Sequence, residues 1–552
     1  MVRRVARRLR CPIAPTIGAI VLFWLALTPS LLPRSPLFQG LVCGVAAALG
    51  YAVGALLGWV LRSCGLHLEG RLRRIFWWVV AVGAVVGSAI CLVWYVRWED
   101  DLRERVGTEA VDLAHVPVLL VVGLVVFVLI VAIARLLRLA GRVVGRQVSR
   151  LLPQRVAAVI GAAVVALCCW VVVDDVVAAR VLATMDATFI AINDEFATDV
   201  PAPTSPSLSA GPASSVEWED LGRQGRVFIA NAPSAETISA FTGRPALQPV
   251  RAYVGVGTDG EIDLREEAQR AVEELELTGG FERQVVNVVT GTGRGWVNEN
   301  QARALEYMWD GDAATVSMQY SYLPSWMSFI VDGSRAQEAG RLLFEAVYAR
   351  WLELPEDARP KLVVSGESLG TFGGEAAFSG AQDLAERTSG ALFVGPTGNN
   401  RLWQQFTEER DPGTPEVLPI YGGGEIVRFG DQQEDWQRPD PTWEGPRIGY
   451  LQHANDPITW WTWSLALHKP DWLDEPRGRD VSPKIRWIPV VTMLQLAADQ
   501  MVANDVPEGQ GHQFGQEPVR AWAEILPSPG WDDADTDRLA EEIASQQLDD
   551  VS

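Results

Sequence analysis

The sequence predicts a multidomain chain, an all-α bundle of transmembrane helices followed by an α/β domain whose mostly parallel sheet carries helices on both faces. Three observations predict it. Five long apolar stretches fill the first 190 residues, strand-like and helix-like runs alternate after about residue 219, and a GxSxG turn lies between an apolar run and a helix-compatible one at Gly366 to Gly370. At 552 residues the chain is too long for one typical core. The boundaries read as a membrane domain over 1–190, a linker over 191–218, an α/β catalytic domain over 219–530 and a flexible acidic tail over 531–552.

Charge divides the chain at the same place. Met1 to Ile190 hold 20 Arg, no Lys and 10 acidic residues, a net of +10; the remainder holds 27 basic and 58 acidic residues, a net of −31. So acidic a domain repels phosphate backbones, which argues against nucleic acid as a partner. All six cysteines, Cys11, Cys43, Cys64, Cys91, Cys168 and Cys169, lie in the first part, so disulfides and thiolate metal sites are excluded from the second.

The membrane stretches run from about Ile13 to Leu32, Phe38 to Leu61, Ile75 to Trp98, Val116 to Ala134 and Val156 to Val173. Hydrocarbon demands internally satisfied backbones, so each reads as a helix. Arginines cluster before the first stretch (Arg3, Arg4, Arg7, Arg8, Arg10), after the second (Arg62, Arg71, Arg73, Arg74) and after the fourth (Arg135, Arg138, Arg142, Arg146, Arg150, Arg155). By the positive-inside rule the N-terminus is cytoplasmic, and five crossings carry the acidic domain outside the cell. Asp174 and Asp175 close the fifth stretch as a solvated helix end or an intramembrane acid pair. The lipid bilayer is therefore an expected partner.

Asp199 to Ser215, rich in Pro, Ser and Ala, reads as an extended linker. Beyond it Arg226 to Ala230 reads as a strand, with Ser234 or Thr237 capping the helix that follows. Further strands are expected at Val250 to Val254, Val285 to Thr290, Thr315 to Tyr320, Leu362 to Val364, Ala391 to Val394 and Ile448 to Leu451. Helices are expected at Leu264 to Leu277 and Ser334 to Leu354. Strands separated by helices form parallel sheets, and ligands bind beyond the carboxyl ends of such strands.

Gly366-Glu367-Ser368-Leu369-Gly370 stands at one such end. Glycines two residues either side of a serine let strand and helix approach around a turn that lifts the hydroxyl out of the backbone. Small residues are common in turns, so the motif acquires meaning only from its setting. A nucleophilic serine needs a base, and the base a group that fixes its tautomer. Of the five histidines, His67 and His115 belong to membrane connections, leaving His453, His468 and His512. In the order serine, acid, histidine, the last is His512, in the Gly-rich loop Gly509 to Gly515. Asp456 follows the strand Ile448 to Leu451 and is the candidate acid, with Asp431, Asp435, Asp499 and Asp505 as rivals. His453 lines the site or, less readily, serves as base with Glu425. For the oxyanion, the N–H of Leu369 is one candidate donor, and Thr292 or Gly293 in the loop Gly291 to Trp296 is the other. That loop lacks the spacing of a nucleotide-binding turn. Glu367, Tyr320, Tyr322, Trp326 and Trp460 are candidate substrate contacts, the aromatic ones as an apolar wall. The Trp-rich stretch Asp456 to Trp463 fits a lipid interface as well as it fits a core.

Taken together, the five apolar spans, GTGRGW, QYSYLPSW, GESLG and NDPITWW resemble the membrane-anchored α/β-hydrolase family of high-GC Gram-positive bacteria over essentially the whole chain apart from the tails. The resemblance implies an N-terminal membrane domain and a C-terminal α/β-hydrolase domain. The expected activity is that of a membrane-bound serine hydrolase at the plasma membrane, acting through an acyl-enzyme on an ester or thioester of a lipid-like or cell-envelope substrate with an apolar acyl chain. An acyltransferase using the same three residues on an envelope glycolipid or protein, and a non-enzymatic scaffold or binding module, are the alternatives. The chemistry calls for no metal and no organic cofactor.

Overall fold

In the computed structural model the described residues are 13–65, 70–150, 152–171, 189, 192–193, 200–256 and 263–546. Asp174 and Asp175 lie outside them, as does the end of the tail beyond residue 546. Two compact units form: Met1–Val181 with Trp461–Pro507, and Leu182–Trp460 with Glu508–Ser552. The continuous catalytic domain expected over 219–530 is thus interrupted, because a 47-residue insert groups with the N-terminal helices.

In the first unit the apolar stretches fold as helices α1 (Ile13–Leu25), α2 (Pro36–Ser63), α3 (Gly70–Val106), α4 (His115–Val148) and α5 (Gln154–Val171). Of these, α2, α3 and α4 are long and apolar enough to cross a membrane; α1 and the apolar part of α5 are shorter. Small residues let neighbours approach, and a Cβ at Gly18 of α1 would lie 3.4 Å from the Cα of Gly54 on α2. The insert joins this unit through the helix Val491–Asp499, whose Val491 and Ala498 share one apolar cluster with Ala26, Leu27, Val42, Cys43, Tyr95 and Leu119. Those six residues lie at the end of α1, the start of α2, late in α3 and early in α4, so the insert caps one end of the bundle. Polar bonds fix it there. Asp499 accepts from Ser30 and from the Leu31 N–H (3.1 Å) and pairs with Arg34 (3.3 Å), while the Gln495 amide donates to the Thr28 carbonyl (2.7 Å).

The second unit is built on a seven-stranded, wholly parallel sheet of order β1-β3-β2-β4-β5-β7-β6. The strands are β1 (Val250–Val254), β2 (Val285–Thr290), β3 (Ala313–Met318), β4 (Lys361–Glu367), β5 (Gly390–Val394), β6 (Val427–Gly430) and β7 (Arg447–Leu451). Their valine-rich runs are buried throughout, as expected of strands covered on both faces. Helices Leu264–Leu277 and Ser325–Glu353 follow the predicted periodicity, the second beginning earlier than expected. Ser234 caps the helix Ala235–Thr242 by accepting from the Thr237 N–H.

Three expectations are corrected, and one strand was not foreseen. Arg226 to Ala230 ends a helix, Gly222–Ala230, instead of forming a strand: Leu221, Gly225, Phe228 and Ile229 recur at helical spacing and are buried, and a short apolar run alone cannot separate the two cases. The strand β6 is absent from the sequence reading, because Arg428 interrupts its apolar character; buried, that guanidinium donates to the carbonyls of Gly424, Trp436, Asp440 and Thr442. The linker docks along the sheet edge, where Ser209 N–H donates to the Arg251 carbonyl (3.0 Å) and Arg251 N–H to that of Ser207 (3.2 Å). The acidic tail forms the helix Asp533–Ser545, capped by Asp532, with Leu539, Ala540 and Ile543 in the core.

Candidate active site

The site grows from the end of β4. Its last residue, Glu367, gives way to Ser368 at φ 53°, ψ −120°, and the helix Leu369–Gly374 begins at once. A positive φ is costly for a residue with a Cβ, about 1–3 kcal/mol, and survives only where the surroundings fix it. Here the Ser368 N–H donates to the Val394 carbonyl at the end of β5 (2.9 Å). The two glycines of the motif have steric reasons. A Cβ at Gly366 would lie 2.6 Å from the Gly370 carbonyl oxygen, and one at Gly370 would collide with the Thr290 carbonyl at the end of β2.

The next strands supply the other groups. Asp456 leaves β7 fully buried; one carboxylate oxygen accepts from the Ile458 N–H (2.8 Å), and the other lies 2.6 Å from Nδ1 of His512. That contact joins residues 56 apart across the insert. His512 Nε2 is buried and has no hydrogen-bond partner, so the Asp456 bond fixes the tautomer with the proton on Nδ1 and leaves Nε2 to accept one. Beneath the ring lies Gly395, at φ 54°, where a Cβ would stand 2.5 Å from Cε1 of His512. Gly395 follows Val394, so the imidazole lies against the residue next to the one whose carbonyl anchors Ser368. No bond between the Ser368 hydroxyl and Nε2 is formed in the structure, as is common when no substrate tightens the site.

Burial pushes the His512 imidazole down, but the Asp456 carboxylate, with Glu367 beside it, outweighs burial and holds it above its ordinary value. Burial raises the Glu367 carboxyl, partly offset by the charge of His512 and by the Asn298 amide that donates to it. Glu367 therefore feels the charge of the base and is bonded to Asn298, the N-cap of the helix Glu299–Met308.

Leu369 occupies the first turn of its helix, where an N–H has no intrahelical acceptor. The Thr292 N–H, by contrast, is taken by the Trp296 carbonyl (2.8 Å), which removes it as an oxyanion donor, while Gly293 packs against the backbone of Leu323 and Ser325. Several expected wall residues are interior. Tyr320 is buried, its hydroxyl pushed well up by burial and without a partner; Tyr322 is buried too. The Trp460 indole donates to the His453 carbonyl (3.2 Å) and packs edge-on to Trp403. The Trp326 side chain lies outside the described residues. Both ring nitrogens of His453 are taken by protein acceptors, so it neither lines an open wall nor pairs with Glu425. Among the rival acids, Asp435 caps a short helix and Asp499 belongs to the insert. Among the described residues no three His, Cys, Asp or Glu side chains are grouped to hold a metal.

Sequence reasoning missed Gly395, Asn298 and Glu517. A glycine directly after an apolar strand is the one signal that could have marked Gly395.

Comparison with known families gives two matches. The model described as alpha/beta-hydrolase family covers residues 250–539, and the model described as the N-terminus of the same family covers residues 27–233. Neither the curated proteins nor the solved structures give a match.

Proposed function

The chain belongs to the alpha/beta-hydrolase family, and from that premise we propose that it is a membrane-bound serine hydrolase that works through an acyl-enzyme. One observation carries the reading. The imidazole of His512, held at Nδ1 by Asp456 at 2.6 Å and with Nε2 unpaired, lies against Gly395, next to the Val394 whose carbonyl anchors the strained Ser368.

In this mechanism Nε2 takes the proton of the Ser368 hydroxyl as Oγ attacks an acyl carbonyl. Asp456 stabilises the resulting imidazolium without taking its proton. The tetrahedral oxyanion meets the Leu369 N–H. Collapse expels the alcohol or thiol, which leaves with the proton from Nε2, and water then repeats the sequence in reverse roles. An ester or thioester of a lipid-like or envelope compound, with an apolar acyl chain, fits a site tethered to membrane helices. The arginine asymmetry supports a plasma-membrane protein with five crossings, a cytoplasmic N-terminus and the catalytic unit outside.

A fluorophosphonate probe on the purified full chain tests the chemistry. Labelling of wild type is expected, lost in Ser368→Ala and slowed about a thousandfold or more in His512→Ala. Folded wild type that takes no label would sink the reading.

A further inference from the structure

Both nitrogens of the buried His453 ring face acceptors. Nδ1 lies 2.9 Å from the Gly511 carbonyl oxygen and Nε2 2.7 Å from a carboxylate oxygen of Glu517. A carbonyl accepts only, so Nδ1 carries a proton; an ionised carboxylate at Glu517 would require one on Nε2 as well, which makes the ring an imidazolium. Its face is stacked on Phe514, with centroids 4.3 Å apart and planes at 18°; the same Phe514 meets the His512 ring edge-on at 5.5 Å.

The acceptor carbonyl belongs to the residue immediately before the base. Asn455 holds the same stretch from its other groups: its side-chain oxygen accepts from the Gly511 N–H (3.0 Å) and its amide donates to the Gln510 side chain (2.6 Å). Asp456 then takes His512 itself. Three of the four residues 453–456 leaving β7 thus grip three successive residues of the base loop, and the first does so with a full positive charge.

We propose that His453, as an imidazolium paired with Glu517, is a positioning residue that locks the base loop in register with Asp456 and by its charge disfavours protonation of His512. The charged groups facing His453 are Glu517 from the helix Glu517–Ile525, Asp456 from its own segment and His512 from the loop; those facing His512 are Asp456, Glu367 and His453. Burial pushes the His453 ring down, but the Glu517 carboxylate outweighs it and brings it to about 9. Asp456 and Glu367 both favour a protonated His512, a form that cannot accept the serine proton, and the His453 cation opposes them. The inference rests on the reading of Ser368, His512 and Asp456 as the reacting set.

Two measurements on the full chain in nanodiscs, wild type against His453→Gln, test it. The first is melting temperature against pH. A group whose folded value is raised contributes stability that is complete below its unfolded value, near 6.5, and is lost as pH rises through about 9. The difference in melting temperature between wild type and variant should therefore be large at pH 7 and shrink by pH 10. Glu517→Gln, which keeps the ring, should move that decline to lower pH and serves if His453→Gln does not fold.

The second is the rate of fluorophosphonate labelling against pH. Loss of the cation lets His512 hold its proton longer, so the acid limb should move to higher pH. A pH-independent difference in melting temperature, or a labelling rate lowered by one constant factor with its acid limb unmoved, overturns the proposal. Wild type that shows the pH-dependent difference but takes no label keeps the buried cation and overturns the serine-hydrolase reading instead.

Discussion

At Ser368 a side chain and a backbone constraint coincide: the residue must hold a positive φ while its N–H stays bonded to Val394. GESLG was legible because the residue types the turn needs fall within five residues, although Val394 and Thr290, which hold and crowd it, lie far away in sequence. Asp456 and His512 were legible only as candidates; nothing local says that residues 56 apart will meet at 2.6 Å. Gly395 went unread for the same reason, since its constraint comes from the His512 ring above it. Gly395→Ala should therefore displace the imidazole. Fluorophosphonate labelling is expected to fall about a hundredfold, as for a catalytic group moved by about 1 Å, with the circular dichroism spectrum unchanged. Labelling at the wild-type rate would show that the ring does not depend on that contact.

Among the elements, strands with apolar runs were placed to within three residues at either end. Those that failed were short and carried a compensated charge, as β6 does with Arg428, or had a length at which strand and helix look alike, as Arg226 to Ala230 do. The insert is the larger surprise. Its Trp463 and Leu467, 72% and 73% exposed, lie on a segment that belongs with the capped end of the membrane bundle, and Trp461 packs edge-on to Trp463. Exposed tryptophan beside membrane helices fits the headgroup level of a bilayer. In liposomes containing dibrominated phosphatidylcholine, the emission removed by Trp463→Phe is expected to be the part quenched by bromolipid and shielded from acrylamide. Quenching of that part by acrylamide would place the segment in water.

For the whole molecule, the arginines cluster before the first apolar stretch and after the second and fourth. The proposed orientation, with the arginine-rich tail cytoplasmic and the acidic region outside, rests on the positive-inside rule; three helices are long and apolar enough to cross a membrane. A reporter that is active only in the cytoplasm, fused after Ser552, should give no signal, whereas one active only outside should; the reverse pattern would overturn the orientation. Within the second unit the domain is held by interactions of long sequence range. The buried Arg251 of β1 pairs with Glu306 at 2.7 Å and Glu299 at 2.8 Å, and thereby fastens the helix Glu299–Met308 to the sheet edge.

The sequence by itself determined what depends on local pattern: apolar stretches of membrane length, the alternation that makes a parallel sheet, and a serine set in a turn that exposes it. Each follows from spacing along the chain, because hydrophobic periodicity and steric limits act over a few residues. Only the tertiary structure decided what depends on distance. It grouped the insert with the N-terminal apolar helices, folded the tail into the core, took Thr292 away from the oxyanion and turned His453 toward Glu517. Those outcomes are set by which buried polar groups find partners once the chain is compact, and partners tens of residues away leave no mark on the local sequence.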